Sequence, residues 1–253
     1  YKRQVQQRVR DSAVGLLGIY VALTLIEILL LMSTGLQPFE ASIHAFGTLA
    51  TGGFSNHSSS VAHFASFGVE AVLIAFMFLA GINFGLYDLL VRQGWRRFWK
   101  IATRSEELRL YAGMVVVSSV VIGFVLWFWG GSNGDATSDL PDYRSLTLSL
   151  RDSLFSVVSI QTSTGYGTAD FDRWPEFCRM LLMFLAFVGA CAGSTGGGLK
   201  VMRFLILAKA SLRGFLHFAR PRAIHNVRVD GQPLEEATVC LLYTSDAADD
   251  ETS

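Results

Sequence analysis

Apolar residues in this chain gather in four long runs, and most of its charges fall in the short segments between them. The runs are residues 13–32, broken only by Glu27, then 69–91, 110–130 and 177–207, the last interrupted by glycine. Crossing about 30 Å of hydrocarbon takes roughly 20 mostly apolar residues in a helix. Each run meets that length, so the pattern predicts an all-α, multi-span membrane protein. The first run is too long for a cleaved signal peptide and no small-residue cleavage site follows it.

Two shorter amphipathic runs, Pro38–Leu49 and residues 149–160, fall between spans. Neither can cross a bilayer, so both read as re-entrant helices. Pro38 suits a helix start, where its missing N–H costs nothing. Each run leads into a strip of small residues. The first strip is Ala50, Thr51, Gly52, Gly53 and Phe54, followed by Ser55; the second is Thr162, Ser163, Thr164, Gly165 and Tyr166, followed by Gly167. The two align without a gap. Span, short helix, strip and span therefore form a tandem repeat, which suggests pseudosymmetry about an axis normal to the membrane.

Irregular backbone at membrane depth is tolerated only where protein buries it or water lines it. Glycine can adopt backbone angles that turn successive carbonyls the same way. Rows of carbonyl oxygens can replace the hydration shell of K⁺, and a short helix ending at the strip would aim its negative end at a cation. Thr51, Gly52, Gly53, Ser163, Thr164 and Gly165 are the expected K⁺ ligands, with Phe54 and Tyr166 wedging the strips in place. One such strip alone also fits a membrane-surface turn; two in register favour a filter. The last span holds Gly193, Ser194, Thr195, Gly196, Gly197 and Gly198, followed by Leu199 and Lys200. So much glycine breaks a helix. The segment reads as a mobile loop beneath the filter, or as close packing through small residues. Lys200 either faces a carbonyl or carboxylate within the membrane or snorkels to its surface; Arg203 is a weaker candidate.

Charge adds sidedness. The chain has 21 Lys and Arg against 21 Asp and Glu, so no global attraction to nucleic acid follows. Basic residues cluster before the first run, between the second and third (Arg92, Arg96, Arg97, Lys100, Arg104, Arg109) and after the fourth, while residues 35–69 contain none. The positive-inside rule places both termini and the middle loop in the cytoplasm. Cys178, Cys191 and Cys240 lack metal-site spacing and read as free thiols.

The strips, together with Trp174 and Pro175 and the run from Gly193 through Val201, resemble the Trk/Ktr/HKT superfamily of potassium transporters. Gly81, Ile82, Asn83 and Phe84, with Glu107, Leu108 and Arg109, look more like the bacterial Trk membrane subunit than its Ktr relative. The resemblance covers residues 11 to about 239. It implies four units of helix, pore helix, filter strip and helix around one pore, each strip giving one filter glycine, here Gly53 and Gly165. It implies that residues 1–105 are unit two and 106–239 unit three, with 193–198 the gate in unit three and units one and four absent. Two of four strips cannot close a conduction path alone. It further implies a K⁺-uptake or symport protein of a bacterial inner membrane, surrounded by lipid, forming a homodimer. A cytosolic nucleotide-binding regulatory subunit would dock on the loop 92–109 and the segment after Arg213. Residues 240–253 turn abruptly small and acidic; they resemble translated adapter read-through, against the alternative of a disordered acidic tail.

Other polar residues carry less. Glu27 has no evident partner; His44, His57 and His63 make no convincing metal site; Asp170 and Asp172 either concentrate cations at the mouth or line a solvated loop. Arg151 and Asp152 sit together on the second pore helix, where pairing with its surroundings is expected. No catalytic constellation and no cofactor site is evident, so K⁺ is expected only as transported ligand and an enzyme is disfavoured. The rival reading is a non-conducting membrane scaffold or receptor that retains a pore-like fold.

Overall fold

The computed structural model describes residues 2–132, 143, 145–219, 228–229 and 232–233. The described chain is helical apart from a minimal ladder of β1 (Arg228–Val229) and β2 (Gln232–Pro233). Residues 133–142, Cys240 and the tail 240–253 lie outside the described residues.

Helix α1 (Lys2–Ser33) carries the first run, and its stretch Ala13–Ser33 is long and apolar enough to span a membrane. The short helix α2 (Pro38–Leu49) starts where the sequence places it, with Pro38 in the first turn after an extended Gln37. Its buried face is Ala41, His44, Ala45, Thr48 and Leu49, the spacing of one helical stripe, and it packs on α1.

The second apolar run departs from expectation. Instead of one span over 69–91, it forms α3 (Phe67–Ala80) and α4 (Phe84–Gln93), bent by 89° at the residues between. Asn83 caps α4 by accepting from the Gly85 N–H at 2.8 Å. The tertiary surroundings force the break. Gly81 lies against the Tyr111 ring and Thr162, where a side chain would clash, and its carbonyl is taken by the N–H of Cys191 at 3.0 Å. Hydropathy cannot see this, because the broken residues are themselves apolar or small.

A short helix α5 (Trp95–Ala102) leads to α6 (Glu106–Ser132), whose stretch Glu106–Trp129 matches the third expected span. Helix α7 (Leu146–Gln161) begins three residues before the expected 149–160 and packs against α6 and α8. The fourth run is α8 (Glu176–Val188) and α9 (Val201–Ala219), separated by residues 189–200 in irregular conformation. The glycine interruption seen in the sequence is thus a real break.

The core runs through the middle of the bundle, joining Leu73 and Met77 of α3, Tyr111 and Ile122 of α6, Phe155 and Val158 of α7 and Leu185 of α8. Large apolar side chains on α1, α6 and α8 instead point outward, among them Leu29, Phe128 and Met183. Lipid tails are as apolar as leucine, so such faces are stable in a bilayer.

Candidate ion pathway

Both strips begin at a pore-helix C-terminus and repeat one backbone course. Ala50 and Thr162 end α2 and α7 in right-handed conformation, at φ −80° and −81°. Thr51 and Ser163 then turn left-handed, at 52° and 62°, and so do Gly53 and Gly165, at 61° and 83°. Left-handed backbone is costly for residues other than glycine, so Thr51 and Ser163 hold it only because the surroundings require it. The hydrogen bonds repeat as well. The N–H groups of Gly52 and Gly53 turn back to the Gly47 carbonyl at 2.8 and 3.2 Å, and those of Thr164 and Gly165 to the Ser159 carbonyl at 2.9 and 3.2 Å.

With their N–H groups committed backward, the strips leave their carbonyls over. Among the described residues, the carbonyls of Thr51, Gly52, Gly53, Ser163, Thr164 and Gly165 accept no hydrogen bond. Backbone carbonyls normally find a partner, so six in two matched strips are unusual. The strips also converge, since a methyl group at Gly53 would overlap the Thr164 carbonyl oxygen.

The two aromatics behave differently. Tyr166 is 3% exposed and donates from its hydroxyl to the carbonyls of His44 and Phe54, at 3.0 and 3.3 Å. It ties the second strip to the first pore helix. Phe54 is 77% exposed, so among the described residues its side chain does not wedge its strip, contrary to expectation. Thr162 and Thr164 share a hydroxyl–hydroxyl bond of 2.8 Å behind the second strip.

Residues 189–200 lie directly against both strips. The Thr51 hydroxyl stands 2.9 Å from the Thr195 carbonyl; Gly196 presses on the Thr162 carbonyl and Gly197 on the Ser163 hydroxyl. Gly189 and Gly198 adopt φ of 74° and 81° and touch backbone to backbone, which excludes side chains at both. Gly193 sits against the Asn83 side chain, and its carbonyl accepts from the Phe84 N–H at 3.0 Å. Ser194 closes a local turn by donating to the Cys191 carbonyl at 2.6 Å. Lys200 folds its ammonium back onto the Gly196 carbonyl. Arg203 is exposed on α9, away from the strips.

Three groups that sequence reasoning undervalued hold this arrangement. The break at 81–83 receives the loop, through the Cys191 N–H to Gly81 and the Thr195 N–H and hydroxyl to Ala80, at 3.4 and 3.2 Å. Glu107, 4% exposed at the start of α6, accepts from the Ala192 N–H at 2.5 Å. Glu70 on α3 accepts two bonds from the Arg151 guanidinium, at 2.5 and 2.7 Å, and so clamps the second pore helix to the first repeat. Arg151 was expected to find a partner; its identity was not readable. In the sequence Glu107 stands only as part of a family-like motif, and its bond to the Ala192 N–H was not readable.

The remaining candidates fall into place around the strips. His44 lies buried, one ring nitrogen on the Glu40 carbonyl and the other 3.2 Å from the Ser55 hydroxyl; His57 pairs with Glu40 and stacks on His63. Cys178 and Cys191 are free, buried thiols. Asp170 pairs with Arg173 at 3.1 Å on the outer surface. Glu27 is fully buried in α1 with neither oxygen bonded.

A family model described as TrkH, cation transport protein, matches residues 9–244. The chain belongs to that family. Similar proteins include the Trk system potassium uptake protein TrkH of Escherichia coli K12, 34% identical over 92% of this chain and 45% of that protein. The TrkH of Vibrio parahaemolyticus is 33% identical over 93% of this chain and 46% of its own length. TrkG of Escherichia coli K12 is 32% identical over 89% and 43%. The crystal structure of the potassium transporter TrkH from Vibrio parahaemolyticus superposes with a TM-score of 0.85 at 31% identity, covering 95% of this chain and 49% of that one. The chain thus spans about half the length of the relatives it matches. Family membership and the shared fold make it a membrane protein built from pore-helix repeats of the TrkH type.

Proposed function

We propose that the chain forms two quarters of a K⁺-selective conduction path and takes part in K⁺ uptake across a bacterial inner membrane. One observation carries the reading: six unbonded carbonyls, in two strips of matched backbone, at the ends of two pore helices. Such carbonyls can stand in for water around K⁺. In this reading residues 1–105 and 106–239 are the second and third of four repeats. Ala50 to Phe54 and Thr162 to Tyr166 are the filter strips, and Gly193 to Gly198 with Lys200 form the gate. The potassium-uptake names of the relatives support the cargo.

In this reading the loop 189–200, packed against both strips, lies across the path, and conduction requires it to move. Its bonds to the elbow at 80–84 and to Glu107 are few, and its glycines supply the freedom to rearrange. Basic residues between α4 and α6 and after α9 support, by the positive-inside rule, a cytoplasmic side for both ends of this chain. A second copy of the protein and a cytosolic nucleotide-binding subunit complete the proposed assembly.

The test is K⁺ uptake in a bacterial strain without other uptake systems, using the complete gene that contains this chain. The double variant Gly53→Ala, Gly165→Ala should insert normally and fail to support growth at low K⁺. Unchanged uptake would sink the reading in favour of a non-conducting scaffold.

A further inference from the structure

Helix α5 separates its residues cleanly. Trp95, Phe98, Trp99 and Ala102 fall on one side at helical spacing, and Arg96, Arg97 and Lys100 on the other. From Gly94 to Ser105 there is no acid. Trp95 and Trp99 are 62% and 50% exposed and stack edge to face on each other, while α5 buries little more than Ala102. Among the described residues Arg96, Arg97 and Lys100 make no ion pair. The helix directly precedes α6, whose apolar stretch begins at Glu106, so it lies at the level where hydrocarbon meets water. Exposed tryptophan beside a row of cations fits a surface that is apolar on one side and negatively charged on the other. A bilayer interface containing anionic lipid has that chemistry.

The C-terminal end of α5 borders a cavity shared with the loop. Ile101 and Arg104 help line a cavity of about 290 Å³ whose other walls include Asn83, Glu107, Cys191 and Met202. Asn83 belongs to the elbow that receives the loop, Glu107 holds the Ala192 N–H, and Cys191 is part of the loop itself. Any tilt of α5 in the interface therefore changes the walls around the loop's anchors.

We propose that α5 is an interfacial helix that binds anionic phospholipid headgroups through Arg96, Arg97 and Lys100 and transmits membrane charge to the loop 189–200. The binding half stands on α5 alone. The transmission half rests on the reading of the loop as a gate.

The test places the purified protein, expressed from its complete gene, in nanodiscs and liposomes of phosphatidylcholine with or without phosphatidylglycerol. Brominated phosphatidylglycerol should quench a share of the tryptophan fluorescence that disappears in Trp95→Phe/Trp99→Phe. Arg96→Gln/Arg97→Gln/Lys100→Gln should weaken enrichment of phosphatidylglycerol around the protein by about fivefold for each charge removed. In liposomes its Rb⁺ flux should no longer depend on phosphatidylglycerol, while that of the parent protein does. Size-exclusion profiles and purification yields equal to the parent show that both variants fold. Quenching unchanged by the tryptophan substitutions, or undiminished enrichment in the triple variant, overturns lipid binding; so does burial of both tryptophans beneath a bound cytosolic protein. Intact quenching with flux indifferent to lipid charge overturns transmission alone. Absence of Rb⁺ flux in every lipid overturns the conduction reading instead.

Discussion

The two repeats keep one strip backbone and its bonds to the pore helix, and differ in the side chains that hold it. Strip two is enclosed: Tyr166 reaches across to the first pore helix, and Arg151 clamps its own pore helix to Glu70. Strip one ends in an exposed Phe54, and its Gly53 presses against strip two. The second helices differ in the same way. In the first repeat the break is an elbow of a few residues, capped by Asn83. In the second it is the irregular segment 189–200, which borrows partners from the elbow and from Glu107. A repeated ligand backbone can thus coexist with unequal supports, and the weaker support marks the part able to move.

The largest effect expected from breaking this comparison is at the strip glycines taken singly. Gly53→Ala adds left-handed strain and a clash with the Thr164 carbonyl, so Rb⁺ uptake should fall below detection. At Gly165 a methyl group meets open space, which leaves only the left-handed cost of about 1–2 kcal/mol. Its uptake should drop about tenfold. Equal severity at the two positions would show that the strips are not supported as described.

The clamp comes next. Glu70→Gln leaves the Arg151 guanidinium with one neutral acceptor in place of a bidentate carboxylate, and about 2 kcal/mol of stability should be lost. Thermal unfolding in detergent measures it. A variant as stable as the parent would mean that core packing alone seats the second pore helix.

Glu107→Ala should loosen the loop by about 1–2 kcal/mol, the cost of an unmet buried N–H. With Cys178 and Cys240 replaced by alanine, maleimide labelling of the buried Cys191 should then run about tenfold faster. An unchanged rate would place the grip on the loop entirely in the elbow.

The smallest expected effect is Tyr166→Phe, which removes the hydroxyl from the His44 and Phe54 carbonyls at a cost of about 1 kcal/mol. Discrimination of K⁺ over Na⁺ in competition flux should weaken a few-fold, while Phe54→Tyr, at a ring largely exposed among the described residues, should leave it unchanged.

Much of this architecture could be read from one dimension. The long apolar stretches of α1 and α6, the start of α2 at Pro38 and the course of both strips depend on local composition. Proline fixes its own φ, and runs of glycine and hydroxyl residues cannot continue a helix. The tandem repeat was visible for the same reason, since equivalent strips need equivalent local residues. The elbow at 81–83 was not visible, because Gly81 and Ile82 suit an apolar span and only Tyr111, Thr162 and the Cys191 N–H make them a break. Nor were the partners of Arg151 and Ala192, which stand 81 and 85 residues away in sequence. By itself, then, the sequence determined the long apolar helices α1 and α6, the two short helices and the strips that end them, and the glycine interruption of the fourth run. Only the tertiary structure decided that Tyr166 is an anchor while Phe54 is not, and that one repeat's broken helix receives the other's loop. Local chemistry sets φ and periodicity, but hydrogen-bond partners across a bundle are chosen by packing.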